Sequence, residues 1–130
     1  MPITTIHDLP VFQFTSLAAQ TGLTHAISTR QGGVSPAPWD SLNLSHTRGD
    51  DTARVNENHR RLCAALDVPY CALTNAYQVH GAQVRLIGPA QRGERQMNTD
   101  ALITAAPDTP LLPRFADCTP IVVYDPARHA

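Results

Sequence analysis

The chain has 130 residues, 42% of them hydrophobic, and its ten basic and eleven acidic side chains leave a formal net charge of −1 at pH 7. This length and composition indicate one globular domain and exclude an intrinsically disordered chain. All ten basic residues are arginine, which excludes a lysine Schiff base and a Walker-type phosphate loop. A near-neutral chain also lacks the basic surface that binds nucleic acid, so we expect no nucleic acid partner.

The sequence contains neither a targeting signal nor a membrane segment that we can recognise. Residues 1–8 have no basic start and no long apolar run, and the apolar run at 121–124 is too short to span a bilayer. Its three cysteines are an odd number at wide spacing, which does not indicate a disulfide framework. We therefore expect a cytoplasmic protein with no membrane partner.

In chain order, the first part of the sequence predicts two short strands followed by a long loop. Residues 11–14 and 25–29 have strand character and flank a turn at Gly22. Residues 30–51 are rich in glycine and proline and predict an irregular segment. Loops of this length inside a domain often carry functional residues. A compact Ω-loop with a purely structural role, packed by its own side chains, is an equal alternative.

A helix is predicted after this loop. The run Asp50–Thr52 provides an N-cap with acidic residues, and apolar residues at helical spacing continue to Leu66. We expect this helix to pack its apolar face on a sheet. Cys63 lies on that face and is interpreted as a buried structural residue, and Cys71, just beyond the helix, is interpreted in the same way.

The second half of the chain predicts three more strands, over residues 83–87, 100–104 and 120–124. Residues 83–87 alternate polar and apolar side chains, as in a half-buried strand. The continuous apolar run at 120–124 predicts a fully buried strand. The whole pattern predicts an α+β fold with mixed β-sheet layers and outer helices, in a single domain over residues 1–130. A buried strand so near residue 130 suggests that this domain is incomplete.

His80 and Cys118 are the best candidates for chemistry, since each lies beside turn residues at the predicted edge of a strand. Histidine and cysteine are preferred zinc ligands, and the same pair suits a cysteine nucleophile that is deprotonated by an imidazole. The two residues are too far apart to form a local zinc motif. A hydrogen-bonded turn histidine and a core cysteine without chemistry therefore remain a third interpretation.

Other candidates are weaker. His46, in the long loop, is the only further histidine placed to act as a ligand or an acid–base group. Asp117 could orient the neighbouring Cys118, although a turn aspartate bonded to its own backbone is the alternative. Arg30 precedes the flexible pair at 32–33 and could hold a phosphate or a sugar there, although a simple glycine turn explains the same residues.

A series of short segments, taken in order, resembles the laccase-domain family, whose members are also described as polyphenol oxidoreductases, a peptidoglycan editing factor and purine nucleoside phosphorylases. The resembling segments are residues 25–35, 41–45, 49–51, 55–62, 78–81, 100–104 and 116–121. So many motifs in the same order make the resemblance highly specific.

The resemblance implies a metal site of two histidines and one cysteine, usually described with zinc and earlier with copper. By motif, the first histidine is His80 and the cysteine is Cys118. The second histidine belongs to a His-Ala-Gly-Trp-Arg-Gly motif that is expected beyond Ala130. The chain thus resembles the N-terminal half of the family's domain, and with two ligands alone its zinc affinity is expected to be weak.

For an intact member, the resemblance implies phosphorolysis of purine nucleosides such as adenosine, inosine and methylthioadenosine, together with adenosine deamination. Nucleoside and phosphate would then be the small-molecule partners. From chemistry we expect Arg30 to position the phosphate, and Asn43 and Gln78 to bind the ribose or the base. Asp117 would not bind the metal itself but would adjust the properties of Cys118 as a ligand.

Three alternatives stay open. The first is a copper-dependent polyphenol oxidoreductase, although the chain shows no His-X-His array. The second is a hydrolase of cell-wall peptides with Cys118 as nucleophile and His80 as base. The third is an inactive fragment. The sequence also leaves homo-oligomerisation open.

Overall fold

The computed structural model describes residues 3–130, which divide into two compact units, one ending at Asp67 and one spanning Val68–Ala130. The first contains an antiparallel sheet and the main helix, and the second contains two small parallel sheets. This mixture of small sheets and few helices agrees with the predicted α+β class. That the two units form a single domain stays a prediction. In the described part, no helix is long and apolar enough to cross a membrane.

The sheet of the first unit consists of β1 (Ile3–Ile6), β2 (Leu9–Phe12) and β3 (Ile27–Ser28), in that order. Both pairings are antiparallel, and β2 and β3 confirm the two predicted strands. His7 and Asp8 form the turn between β1 and β2 with φ values of 45° and 68°. Positive φ at both positions gives a two-residue turn whose twist matches the strands.

Two helices belong to the same unit, the short α1 (Thr15–Ala18), which the pattern did not predict, and α2 (Thr52–Ala65). Asp51 is the N-cap of α2, and its Oδ1 accepts hydrogen bonds from the backbone amides of Ala53 at 2.7 Å and Arg54 at 3.2 Å. These bonds satisfy two of the amides that a helix start leaves unpaired. The predicted helix and its cap are therefore confirmed.

The inward face of α2 is mostly apolar and includes Cys63, which is 2% exposed as predicted. The same face also buries two polar residues, Asn58 and His59. Their side chains form hydrogen bonds with the loop between β3 and α2. His59 Nε2, for example, lies 2.9 Å from the carbonyl oxygen of Leu44. The apolar pattern did not predict this polar contact. Packing of the helix on a sheet stays a prediction.

The second unit has five short strands in two parallel sheets, one ordered β6-β4-β8 and the other β5-β7. The strands are β4 (Thr74–Ala76), β5 (Val84–Leu86), β6 (Arg95–Gln96), β7 (Ala101–Ile103) and β8 (Leu111–Leu112). Two short 3-10 turns, Tyr70–Ala72 and Pro89–Gln91, precede β4 and β6. The predicted strands at 83–87 and 100–104 are confirmed as β5 and β7.

The predicted buried strand at 120–124 is wrong. These residues adopt no strand, and the side chains of Ile121 and Val123 are 85% and 82% exposed. A strand requires a neighbour for its amide and carbonyl groups, and none of the described strands lies beside this segment. An apolar run without that neighbour forms no strand and stays exposed to solvent.

Two smaller expectations also fail in this unit. Val84 and Leu86 are exposed while Ile87, one residue after β5, is buried, so β5 does not show the predicted half-buried alternation. A sheet of only two strands offers little cover to either face. Cys71 is exposed within its 3-10 turn, so it is not the buried residue that was predicted, because the apolar stripe of α2 ends before it.

Candidate functional site

His80 lies in the loop that leads into β5. Its side chain is exposed, and its backbone has a φ of 58°, in the left-handed region that few non-glycine residues adopt. The loop is held by Asp100, the residue before β7. Asp100 Oδ1 accepts a hydrogen bond from the amide of Val79 at 3.0 Å, and Oδ2 accepts one from the amide of Gln83 at 3.2 Å.

The same carboxylate is electrostatically stabilised by the loop that it holds. Partial burial pushes the pKa of Asp100 upwards, but hydrogen bonding from the backbone amides of Val79, Gln83, Gly81 and His80 outweighs this effect and lowers the pKa below its usual value. Bonds to the charged form of a carboxyl favour ionisation. Asp100 is therefore ionised, and its carboxylate holds the loop that contains His80 through these hydrogen bonds.

Cys118 lies in a bend after β8 and is exposed, as is its neighbour Asp117. Both belong to the second unit, as do His80 and Gln78, which is exposed in the segment after β4. The expected contact between His80 and Cys118 at one metal-binding edge stays a prediction.

The described residues match the implied metal in donor type but not in number. His80 offers an imidazole nitrogen and Cys118 a thiol sulfur, the donors that zinc takes most often. Among residues 3–130, however, no group of three or more His, Cys, Asp or Glu side chains is placed to hold a metal ion. A catalytic zinc requires three protein ligands. The described residues thus supply two donors of a suitable type and no complete group of three.

Arg30, predicted to hold a phosphate, lies at the start of the long loop in the first unit. Its guanidinium forms an exposed ion pair with Asp40 at 3.4 Å, and its Nε donates a hydrogen bond to the carbonyl oxygen of the same residue at 2.6 Å. The guanidinium therefore faces an anionic group of this chain. An exposed pair of this kind contributes only about 0–1 kcal/mol.

Asn43, predicted to bind substrate, has its amide engaged within the loop. Its Nδ2 donates to Asp50 Oδ2 at 2.9 Å, and its Oδ1 accepts from the amide of Ser45 at 3.0 Å. Asp50 also accepts a bond from the hydroxyl of Ser35 at 2.6 Å. The bond from Ser35, with that from Asn43, lowers the pKa of Asp50 despite its partial burial. In this structure Asn43 shapes the loop.

His46, the further candidate ligand, is also built into the first unit. Its Nε2 lies 2.8 Å from Asn56 Oδ1, and its ring meets the ring of His59 edge-on, with 5.2 Å between the centroids. Its Nδ1 is buried, and no residue in the described part of the chain gives it a hydrogen bond. One nitrogen is thus occupied and the other enclosed, which favours a structural role for His46 over metal binding.

Sequence reasoning missed two residues that organise these loops, Asn58 and Asp100. Asn58 lies on the helix face that the pattern assigned to apolar packing, and it is fully buried. A polar residue at an apolar position of a helix was the available signal. Asp100 was predicted only as the first residue of a strand and of a resembling segment, and neither pattern indicates bonds to an earlier loop.

An open cleft of about 400 Å³ lies in the first unit and includes the glycine pair at 32–33 that follows Arg30. It is lined by His7, Asp8, Leu9, Gly32, Gly33 and Arg61. Arg61 NH1 donates to the carbonyl oxygen of Gly32 at 3.2 Å, and its Nε bonds Glu57 at 3.2 Å. The Arg61 guanidinium thus links α2 to the backbone at Gly32, which is a structural role.

Comparison with known proteins identifies relatives over most of the chain. A purine nucleoside phosphorylase of Mycobacterium tuberculosis is 41% identical over 98 residues, which cover 75% of this chain and 39% of that protein. One of Deinococcus radiodurans is 38% identical over 122 residues, which cover 94% of this chain and 45% of the relative. The chain therefore spans less than half the length of these curated relatives.

Solved structures show the same fold. YlmD from Geobacillus stearothermophilus superimposes with a TM-score of 0.76 at 29% identity, over 85% of this chain and 42% of that one. The hypothetical protein YfiH of Bacillus licheniformis gives a TM-score of 0.69 at 26% identity, over 72% of this chain and 38% of that one. The laccase-domain-like fold expected from the motifs is therefore confirmed.

The family assignment follows from a family model that covers most of the chain. Residues 24–130 match the model described as multi-copper polyphenol oxidoreductase laccase, the same region that carries the motifs. This match and the relatives confirm the resemblance drawn from the sequence. The chain belongs to the multi-copper polyphenol oxidoreductase laccase family.

Proposed function

We propose that this chain supplies part of a zinc-dependent purine nucleoside phosphorylase that acts on adenosine, inosine and methylthioadenosine and also deaminates adenosine. The observation that carries the proposal is the similarity to proteins named purine nucleoside phosphorylase, which extends over 94% of the chain for the Deinococcus relative. Nucleoside and phosphate are the substrates that this name implies.

In this proposal His80 and Cys118 are two of the metal ligands. The exposure of both side chains in the second unit supports the assignment, because a ligand must be reachable by the ion. Asp117, also exposed, would orient Cys118. A bound zinc would supply Lewis-acid activation of water for the deamination. The third ligand would come from outside the described residues.

The phosphate and nucleoside contacts come from the other predicted residues. Arg30 would bind phosphate in place of the Asp40 carboxylate that it now faces. Gln78, exposed two residues before His80, would donate or accept hydrogen bonds with the ribose or the base. Asn43 would act on the substrate through the loop shape that it maintains with Asp50.

The test is an assay for phosphate-dependent release of hypoxanthine from inosine by the protein that contains this chain. We expect His80→Ala and Cys118→Ser each to reduce the rate by at least about 100-fold, since each removes a ligand. Cys71→Ser is the matched control, because Cys71 is an exposed cysteine of the same unit. Activity that survives His80→Ala, or that does not depend on phosphate, would contradict the proposal.

A copper-dependent polyphenol oxidoreductase is the second candidate, and the description of the matching family model favours it. The two candidates differ in metal and in co-substrate. Copper in the purified protein, together with oxygen uptake on a phenol, would support the oxidase. Zinc together with phosphate-dependent nucleoside cleavage would support the phosphorylase.

The Cys–His hydrolase differs from both in the state of its thiol. Rapid alkylation of Cys118 that abolishes hydrolysis of a cell-wall peptide would support a nucleophile. Protection of Cys118 by added zinc would instead support a metal-bound thiolate.

A further inference from the structure

We propose that Asp100 is the positioning residue for His80, holding the loop that presents this imidazole to the metal; the inference rests on the proposed function. Asp100 touches neither substrate nor metal in this assignment. It acts through the backbone of the loop, and four observations within the second unit support the role.

The first observation is that the carboxylate closes the loop at both ends. Its Oδ1 takes the amide of Val79, one residue before His80, and its Oδ2 takes the amide of Gln83, three residues after it. The backbone amide of Asp100 also donates to the carbonyl oxygen of Gln83 at 2.8 Å. One residue therefore fixes the segment on either side of the histidine.

The second observation is the conformation of His80 itself, whose φ of 58° is unfavourable for a residue with a side chain. Such backbone strain persists only where surrounding contacts impose it. The bonds to Asp100 are the contacts that impose it here. Without them the loop would relax and the imidazole would point elsewhere.

The third observation concerns Gly81, which follows His80. A Cβ atom at this position would lie 3.2 Å from Asp100 Oδ2, tighter than an ordinary contact. The glycine thus lets the loop come close to the carboxylate. Because the backbone of Gly81 is not in the left-handed region, an alanine would disturb only this approach.

The fourth observation is the register of the two strands. β5 and β7 run parallel with Val84 opposite Ala101, so Gln83 and Asp100 lie side by side where the strands begin. Asp100 is therefore fixed by the sheet, and the loop is fixed by Asp100. A residue directly beside a regular strand gives a more precise support than one in the middle of a second loop.

The test compares Asp100→Ala and Gly81→Ala with Asp51→Ala. Asp51 is the matched control, because its carboxylate also accepts two backbone hydrogen bonds, but at the start of α2. Gly81→Ala keeps the charge of Asp100 and so separates geometry from electrostatics. It also remains informative if Asp100→Ala fails to fold. The measurements are the Zn²⁺ dissociation constant and the hydrogen exchange of the Val79 and Gln83 amides.

We expect Asp100→Ala and Gly81→Ala to accelerate both amide exchange rates and to weaken Zn²⁺ binding about tenfold or more. Asp51→Ala should change neither quantity. Faster exchange with unchanged Zn²⁺ affinity would overturn the positioning role while leaving the proposed function intact, and unchanged exchange rates would overturn it directly.

His80→Ala separates the two proposals. If this variant binds Zn²⁺ as tightly as the unaltered protein, the ligand role of His80 in the proposed function fails. The positioning of His80 towards the metal then fails with it, whereas weaker Zn²⁺ binding by His80→Ala together with unchanged binding by Asp100→Ala would overturn the positioning role alone.

Discussion

The side-chain oxygen of Asn58, in the middle of α2, accepts a hydrogen bond of 2.8 Å from the backbone amide of Val34, 24 positions earlier in the chain. The amide nitrogen of the same side chain donates to the carbonyl oxygen of Asn43 at 2.8 Å and to the hydroxyl of Ser35 at 2.9 Å. One fully buried asparagine thus holds two separate parts of the long loop against the helix.

Replacing Asn58 by alanine should strongly destabilise the first unit. The change removes the hydrogen-bond partner of the Val34 amide and of the Asn43 carbonyl oxygen, both of them partly buried, and losing the partner of a buried polar group costs up to about 1–3 kcal/mol. We therefore expect the free energy of unfolding to fall by about 2–4 kcal/mol, as measured by urea denaturation. Glu57→Gln, on the same helix but in exposed ion pairs, should change it by less than about 1 kcal/mol. Equal losses in the two variants would contradict this role of Asn58.

Acid should weaken the loop through Asp50. Because the pKa of Asp50 is lowered in the folded state, its carboxylate stabilises the fold above the unfolded pKa of about 3.9. That stabilisation is lost as the pH falls through this value towards the folded pKa. Urea midpoints measured from pH 6 down to pH 3 should therefore drop less steeply for Asp50→Asn. Parallel curves for the two proteins would refute the contribution of Asp50.

The three cysteines should react at different rates. Cys63 is 2% exposed and burial raises the pKa of its thiol, whereas Cys71 and Cys118 are exposed. Because the thiolate is the reactive form, a disulfide reagent should modify Cys71 and Cys118 promptly in the metal-free protein, and Cys63 only after unfolding. Mass spectrometry of the labelled peptides gives the order.

Cys63→Ser and Cys71→Ser should leave the metal content unchanged, because neither residue is assigned as a ligand. Loss of metal in either variant would show that its cysteine is a metal ligand.

Two glycines should respond differently to alanine. A Cβ at Gly33 would collide with the backbone of Ser41 and Leu42, whereas a Cβ at Gly22 would meet open space. Gly22 has a φ of 80°, so Gly22→Ala should cost only the backbone strain of about 1 kcal/mol. Gly33→Ala should cost more, because backbone cannot move aside as a flexible side chain can. Thermal unfolding of both variants gives the comparison, and a smaller loss for Gly33→Ala would disprove the close approach.

Local signals predicted the elements whose cause is local. The acidic N-cap and the apolar spacing predicted α2, whose N-cap, Asp51, lies in the predicted run and whose last residue, Ala65, is one before the predicted Leu66. The strands β5 and β7 and the irregular segment between β3 and α2 were predicted for the same reason. Short-range patterns determine these features, since caps, periodicity and turn residues act within a few positions.

The candidate site was predicted through motif resemblance, and its supporting residues were not. The family assignment of His80 and Cys118 needed only the order of short segments. The role of Asp100 depends on bonds to residues 17 and 21 positions earlier, and no local pattern reports such bonds. Sequence could place the imidazole on a loop, but not show what holds that loop.

The sequence by itself determined the α+β class, the family and the helix with its cap, because each follows from residues close together in the chain. Only the tertiary structure decided that Asn58 is buried in a polar contact and that Ile121 and Val123 are exposed. Burial depends on which segments become neighbours in space. An apolar run favours burial, but the segment that covers it is distant in sequence and no local pattern reports it. A polar side chain can be buried only where a distant backbone supplies its hydrogen bonds.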